Sequence, residues 1–346
     1  MQELDYRNFR DWEQPDDVSL PPIEIIRMYE AGYRGAIWSP EATELLMAES
    51  EIPEARDVAH YYGFADQFAG QLVIPFVHVE KLYPGCWPGP AQERGDCVSH
   101  SQKNANLGTL CTEVIAATVD EITHKIERAP EVTPEGIKNG VLSTEAIYWF
   151  RRHGGDGWSC ATAARVSTKE AGAVLRIAYP DLSIDLQDYS GSLAGKYGRT
   201  PPSGELAKVL GANLFRTTTF ANEPGEVRDL LGRGFFLTTC GSEGFANVRD
   251  DWGVSVRRGS WSHALAFIGF DDRPETIKKY GEPLVLVLNS WGIWNKGPRR
   301  IFGTNIDIPH GAFWARWSSV RNRQMIAMSG LNGWARVNLP NASPGF

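Results

Sequence analysis

Two short stretches, SWSHALAFIGF at residues 260–270 and VLVLNSWG at residues 285–292, each place one polar side chain at the end of an apolar run. The apolar runs predict two strands, and the Asp-, Arg-, Pro-, Lys- and Gly-rich stretch between them predicts a turn. Paired as an antiparallel hairpin with matched ends, the strands put His263 directly opposite Asn289, with Cβ atoms about 4.5 to 5.5 Å apart. Because an amide beside an imidazole fixes which ring nitrogen carries the proton, the pair is typical of a general base.

A general base needs a nucleophile, and Cys97 is the candidate. In RGDCVSHS it follows Gly95 and Asp96 at the predicted start of a helix, with Asp96 as a natural cap. The unpaired N–H groups and the dipole of a helix N-terminus favour a thiolate, and a protonated His263 nearby would favour it further. Gln92, a few residues upstream, could offer its side-chain NH₂ beside the Cys97 N–H to a tetrahedral oxyanion.

His100 is the alternative base, since it lies three residues after Cys97 on the same helical face. A base on the same helix cannot easily reach both the sulfur and a leaving group across a cleft, so we expect a helix-surface or polar-core residue. No ligand-like spacing occurs among the remaining histidines, which are His60, His78, His124, His153 and His310. The sequence therefore favours His263 and predicts no metal site.

The chain has five cysteines, an odd number without CxxC pairs. This pattern fits a reducing compartment better than a disulfide framework, and it lacks zinc-ligand spacing. We expect four of them to be small core residues, namely Cys86, Cys111, Cys160 and Cys240.

The elements that must position these residues change character along the chain. Residues 1–70 read as a small helical arm punctuated by prolines, and a strand-like run followed by a Gly/Pro-rich loop begins at Gln71, so we place a boundary near residue 70. Helices are predicted from Cys97 to about residue 128, near 143–152 with Ser143 as cap, and from about Ser159 to Glu170. After residue 234 the strand-like runs are GFFLTTC, HALAFIGF, PLVLVLN and GAFWARWSSV. Helices followed by segregated strands predict an α+β fold.

Four candidate residues occur in the order Gln92, Cys97, His263 and Asn289, and the last of them begins the motif NSWG. In this order the chain resembles the papain-like cysteine peptidases, over about residues 71–334. In this resemblance VIPFVHVEKLYPG matches the mature N-terminal strand and HGAFWARWSSV the late Gly-x-aromatic strand. The resemblance implies a two-lobe fold within residues 71–346, with a helical lobe mainly over 95–180 and an antiparallel β-rich lobe mainly over 205–335. The divergent form suggests a bacterial or phage-type member.

The same resemblance implies a substrate-binding role for the loop HGGDGWS at residues 153–159. Gly155 and Gly157, with Trp158 beside them, would let an extended peptide pair with main-chain groups, although clustered glycines ordinarily mark only a helix stop and a turn. Trp291 of NSWG would cover the His263–Asn289 hydrogen bond. The other tryptophans are expected in the core and the cleft walls.

Composition limits the partners. A net charge of −7 with well-mixed charges argues against nucleic acid or an anionic membrane as the main partner. The first residues lack a signal-sequence pattern and no apolar run approaches the roughly 20 residues that span a bilayer, so we expect a cytoplasmic protein.

The leading hypothesis is a thiol hydrolase that cleaves peptide, isopeptide or amide bonds through an acyl-enzyme, without metal or cofactor, on a peptide or protein substrate. Acyl transfer to an amine would use the same residues. A different class stays open: a catalytically retired scaffold in an assembly such as a virion, with residues 1–70 as its docking element.

Overall fold

The computed structural model describes residue 55, residues 65–119 and residues 129–331. Nine α-helices lie in this part of the chain. They are α1 (Phe76–Leu82), α2 (Cys97–Val119), α3 (Pro134–Lys138), α4 (Thr144–Tyr148), α5 (Cys160–Lys169), α6 (Gly191–Gly195), α7 (Gly204–Leu210), α8 (Pro224–Gly232) and α9 (Pro274–Tyr280).

Nine strands accompany them in the described residues. They are β1 (Leu72–Val73), β2 (Ala178–Tyr179), β3 (Ile184–Asp185), β4 (Phe215–Phe220), β5 (Leu237–Arg249), β6 (Ser255–Asp271), β7 (Leu284–Leu288), β8 (Ala312–Arg316) and β9 (Gln324–Leu331). Seven of them form one antiparallel sheet in the order β4-β9-β5-β6-β7-β8, with β1 also paired to β6, and β2 pairs with β3 separately. The α+β class, with helices first and an antiparallel sheet after them, is confirmed.

The helix starts follow local chemistry. Ser143 caps α4 by accepting from the Ala146 N–H, and Ser159 caps α5 by accepting from the Thr162 N–H. The cap at Ser143 and a helix start at about Ser159 were predicted from the sequence. The prediction of an N-terminal strand over VIPFVHVEKLYPG is mostly wrong. Only Leu72–Val73 is extended there, and the residues from Phe76 to Leu82 form α1. Two residues are enough to pair with the end of β6, so the chain is free to turn into a helix directly afterwards.

The long helix α2 packs on the sheet although its sequence is polar. Nearly every described side chain from Cys97 to Val114 is buried, including Lys103 and Glu113. Gly108 allows the close approach, because a Cβ there would lie 2.4 Å from the Phe236 ring on the strand side. The polar groups of α2 must therefore find partners inside the protein, and this shapes the candidate site described below.

The central strands explain the continuous apolar runs in the sequence. Residues 263–271 of β6 and all of β7 are buried, so these strands are covered on both faces and do not alternate. A register shift between Phe267 and Gly269 interrupts the ladder between β6 and β7. The shift changes which residues face each other near the ends of the two strands.

The predicted helical arm lies outside the described residues except for residue 55 and residues 65–70. The described end of the arm packs on α8, where the Asp66 N–H donates to Asp229 at 2.6 Å and Arg233 donates to Gln67 at 2.6 Å. Arg228 also pairs with Asp66 at 2.7 Å. Contacts therefore cross the boundary that the sequence placed near residue 70.

One expectation about the cysteines is wrong. Cys160 and Cys240 form a disulfide, with their Cα atoms 5.9 Å apart, because the N-terminus of α5 lies against β5. Residues 80 positions apart cannot be matched from sequence spacing alone. Cys86, Cys97 and Cys111 are buried and outside any disulfide, so the prediction that Cys86 and Cys111 are core residues is confirmed.

Within residues 65–119 and 129–331, no helix is long and apolar enough to cross a membrane.

Candidate active site

His263 and Asn289 are joined by a hydrogen bond. The imidazole Nε2 lies 2.8 Å from the Asn289 Oδ1. An amide oxygen only accepts, so the proton of this bond resides on Nε2 and Nδ1 is left as the basic nitrogen. The same Oδ1 accepts from the Ser290 N–H at 2.7 Å, which fixes the orientation of the amide. The predicted bond is confirmed.

The prediction that His263 and Asn289 lie directly opposite each other on the two strands is wrong. The last pair of the β6–β7 ladder is Ala266 with Leu288, and in that register Asn289 comes opposite Leu265, two positions away from His263. Matched strand ends would pair His263 with Asn289, but the ladder already pairs Phe270 with Val285 at its other end, so the two strands are offset and their ends do not match. The side chains bridge the diagonal, which lies within reach of an imidazole and an amide.

Trp291 covers this bond. Its ring centroid lies 4.7 Å from that of His263 at an interplanar angle of 33°, and it is fully buried. Trp261 packs on Trp291 at 4.8 Å, and Trp294 packs on it from another side at 5.7 Å. Three indoles around the imidazole exclude water from it, so the role expected for Trp291 fits its position.

Cys97 is the first residue of α2. The Asp96 carbonyl accepts from the N–H groups of Ser99 and His100, which opens the helix at the expected place. One turn later, the Ser101 hydroxyl donates to the Leu265 carbonyl on β6 at 2.6 Å. Since Leu265 lies two residues from His263, this bond brings the start of α2 to the part of β6 that carries the imidazole.

Gln92 connects the nucleophile loop to the NSWG segment. Its Oε1 accepts from the Ser290 hydroxyl at 2.5 Å, its Nε2 donates to the Arg94 carbonyl at 2.7 Å, and its backbone N–H donates to the Ser290 carbonyl at 2.8 Å. One hydrogen of the amide nitrogen is used for Arg94, which leaves the second for the oxyanion role predicted from the sequence. Ser290 was missed as a site residue, although it lies inside the motif.

A buried polar group lies beside Cys97 on the helical side. Tyr189 donates its hydroxyl to Asp96 Oδ2 at 2.8 Å, and His100 Nε2 lies 3.7 Å from the same oxygen. Burial raises the pKa of Asp96 to about 8 and lowers the pKa of His100 well below its ordinary value. Both groups are therefore neutral near pH 7. His100 also packs on the Tyr189 ring, which agrees with a polar-core residue and not with the general base.

The glycine loop lies next to the nucleophile loop. Arg94 forms an ion pair with Asp156, and the Gly157 N–H donates to the Gly95 carbonyl at 2.9 Å. Because that N–H is already used, Gly157 cannot offer it to a substrate strand as expected. Gly155 faces open space, since a Cβ there would meet nothing within 4 Å.

Trp158, the other residue expected to bind substrate, belongs to the core. Only 2% of it is exposed, and its ring packs edge-on against Tyr148. An indole with so little exposed surface offers almost no area to a substrate, so the role expected for Trp158 does not fit its position.

The candidate site is closed. Cys97, His263, Asn289 and Gln92 are each 0% exposed. Burial lowers the pKa of His263 to about 3, although the bond to Asn289 opposes this and Arg323 adds to it. The imidazole is therefore neutral at neutral pH in the closed protein, whereas the sequence argument expected an imidazolium beside a thiolate.

Arg323 also belongs to the site, although no sequence motif includes it. It precedes β9, is 0% exposed at its side chain, and donates to the His263 carbonyl at 2.5 Å. Among the described residues, no group of three His, Cys, Asp or Glu side chains is placed to hold a metal ion.

Comparison with known proteins gives matches among solved structures alone. No protein-family model matches the sequence, and no curated protein matches it. The solved structures similar to this chain include xylellain, a cysteine protease from Xylella fastidiosa, at 14% identity and a TM-score of 0.43, covering 71% of this chain and 84% of that one. They also include procathepsin B S9 from Trypanosoma congolense, at 12% identity and a TM-score of 0.45, covering 93% and 94%. The structural neighbours are thus papain-like cysteine proteases at low identity.

Proposed function

We propose that this protein is a thiol hydrolase that cleaves peptide or related amide bonds, with Cys97 as nucleophile and His263 as general base and acid. One observation supports this most directly: the His263 Nε2 is held by Asn289 at 2.8 Å under Trp291. This arrangement leaves Nδ1 as a base whose orientation is fixed, near a helix that starts with a cysteine. The order of Gln92, Cys97, His263 and Asn289 along the chain agrees with this proposal.

In the proposed reaction the Cys97 sulfur attacks the substrate carbonyl carbon while its proton passes to His263 Nδ1. The tetrahedral intermediate collapses as the imidazolium returns that proton to the leaving amine, which gives an acyl-enzyme and the first product. Water, deprotonated by Nδ1, then attacks the acyl carbon, and Cys97 leaves with the proton. Asn289 keeps the ring oriented through both steps and is not itself protonated.

The oxyanion would be bound at the start of α2. The Cys97 N–H belongs to the first turn of the helix, where N–H groups lack intrahelical acceptors. The second hydrogen of the Gln92 amide is the proposed partner donor, and the bond from Ser290 holds that amide in place. Because the amide is already fixed before substrate binds, little reorganisation is needed in the transition state.

A second candidate has its own support. All four proposed catalytic residues are 0% exposed, so no substrate reaches the sulfur in the closed protein. A retired scaffold that acts in assembly would tolerate permanent closure, and residues 1–70 would then be its docking element. An enzyme must open, at least transiently, to admit a substrate to Cys97.

Activity-based labelling separates the two candidates. The purified full-length chain is incubated with an electrophilic cysteine-peptidase probe and, separately, with an unbiased peptide library read by mass spectrometry. The enzyme predicts labelling of Cys97 and cleavage, both lost in Cys97→Ala and retained in Cys111→Ala, which removes another buried thiol. If the probe does not label Cys97 and no peptide is cut by wild type, the scaffold candidate replaces the hydrolase.

A further inference from the structure

Arg323 is a fully buried guanidinium in the part of the sheet that carries His263. Its side chain is 0% exposed, and its partner Glu243 on β5 is 3% exposed, with 3.3 Å between Nη1 and Oε2. A buried arginine is expensive to desolvate, so its position requires compensating contacts. The contacts that compensate for this cost include one with His263 of the candidate active site.

The guanidinium joins three strands. Nη2 donates to the His263 carbonyl on β6 at 2.5 Å, and Nε donates to the Thr239 hydroxyl on β5 at 3.1 Å. Nη1 contacts Glu243, also on β5, through its carboxylate and, at 3.4 Å, its carbonyl. Arg323 itself lies just before β9. Arg323 thereby fixes the main chain of His263, whereas Asn289 fixes its ring.

The same contacts lead to the nucleophile helix. The Thr239 hydroxyl donates to the Leu265 carbonyl at 2.9 Å, and Ser101 donates to that same carbonyl at 2.6 Å. Ser101 lies one turn after Cys97, so three hydrogen bonds, through Thr239 and the Leu265 carbonyl, connect the arginine with the helix that carries the thiol. Burial lowers the pKa of Arg323 to about 10, while Glu243 and a Cys97 thiolate oppose this.

A resting Cys97 thiolate would need a positive charge near the sulfur, and the imidazole does not supply one at rest. Burial lowers the pKa of His263 to about 3, so the ring is neutral at neutral pH. The charged and titratable groups facing Arg323 are Glu243 on β5, His263 on β6 and Cys97 on α2. Among these four groups, the guanidinium is the one that remains positive.

We propose that Arg323 is a positioning residue of the thiol–imidazole pair: it fixes His263 through the main-chain carbonyl and provides the permanent positive charge that favours the Cys97 thiolate. This inference rests on the proposed function, since it assigns the charge partner of the same nucleophile. When the S–H bond breaks, the proton passes to His263 Nδ1, and Arg323 keeps all of its protons. No oxidant or further reactant is involved.

The test measures Cys97 alkylation by iodoacetamide from pH 5 to pH 9, with peptide mass mapping, and needs no substrate. Removing Arg323 alone would leave Glu243 buried without its partner, so the informative variant is the double substitution Arg323→Met with Glu243→Met. The double substitution removes the guanidinium together with the carboxylate that partly offsets its charge, so we expect a slower reaction at pH 6 and an acidic limb moved upward by up to about one pH unit.

Two single substitutions separate charge from geometry. Arg323→Lys keeps the charge, so the acidic limb should stay within about 0.3 pH units, while peptide turnover falls about tenfold because the bond to the His263 carbonyl is lost. Arg249→Lys alters another buried arginine of the sheet, which donates to Asn295 and Ala312. It should change neither the acidic limb of Cys97 alkylation nor the rate of peptide turnover.

The outcomes are distinguishable. A wild-type Cys97 with an acidic limb that the double variant retains overturns the role of Arg323 and leaves the proposed hydrolase intact. A wild-type Cys97 without an acidic limb also overturns the role of Arg323, and a wild type that in addition cleaves no peptide overturns the hydrolase. The inference is supported if the acidic limb of Cys97 alkylation moves upward in the double variant and stays in place in Arg323→Lys.

Discussion

Acidification should destabilise the folded protein through His263, and the size of the effect follows from its burial. The pKa of this imidazole is about 3 in the folded chain, against about 6.5 in an unfolded one. Because the folded pKa of this base is depressed, the unfolded state binds more protons as the pH falls below 6.5. Between pH 7.5 and pH 5.0 this difference lowers the free energy of unfolding by about 2 kcal/mol.

The whole-protein pH dependence does not isolate this effect. His78, with a pKa of about 4, and His100, also lowered, add destabilisation of the same sign. Asp96 works in the opposite direction, since its pKa is raised to about 8 and its neutral form is stabilised as the pH falls. The quantity to compare is therefore the loss of stability in wild type minus the loss in a His263 variant.

His263→Gln is the informative variant, because a glutamine amide can still donate to Asn289 but does not titrate. Urea unfolding at pH 7.5 and pH 5.0, followed by tryptophan fluorescence without reductant, should show a pH-dependent loss about 2 kcal/mol smaller in the variant than in wild type. His310→Gln, at an exposed histidine, should behave as wild type.

A direct measurement complements the unfolding data. With ¹³C-labelled histidine, the resonance that disappears in His263→Gln should not titrate above pH 5 in the folded protein. If that resonance titrates with a midpoint above pH 6, or if both proteins lose equal stability, the resting imidazole is not the buried neutral group described above. The thiolate–imidazolium pair expected from the sequence would then be the correct ground state.

Three further predictions concern the site and its support. Asn289→Ala should lower kcat/KM by roughly tenfold and His263→Ala by at least roughly a thousandfold, since the amide only orients the ring; equal losses in steady-state assays would contradict this division. Replacing both Cys160 and Cys240 with alanine should cost about 4.5 kcal/mol in urea unfolding, given their separation of 80 residues, and a loss below about 1 kcal/mol would argue against the disulfide. Lys103→Met should raise the free energy of unfolding at pH 7 by up to about 4 kcal/mol. Burial holds the pKa of Lys103 near 7 and its Nζ has no hydrogen-bond partner among the described residues, so wild-type stability should rise from pH 7 to pH 10 relative to that of the variant.

The sequence determined what depends on neighbours along the chain. Ser143 and Ser159 cap their helices because a hydroxyl two or three residues before an N–H reaches it in any helix start. The buried strands β6 and β7 were visible as continuous apolar runs, and the motif NSWG with an upstream histidine predicted the pair of His263 and Asn289. Each of these signals is local or comes from two adjacent strands.

Tertiary structure decided what depends on distant segments and on burial. The disulfide between Cys160 and Cys240 and the contact of Arg323 with His263 join residues 80 and 60 positions apart, and no periodicity encodes such contacts. The offset between β6 and β7 places Asn289 opposite Leu265 and not opposite His263, without preventing the bond between the two side chains. The charge of His263 follows from the same cause: a sequence gives the residue type, but only the packed fold removes water from an imidazole and lowers its pKa.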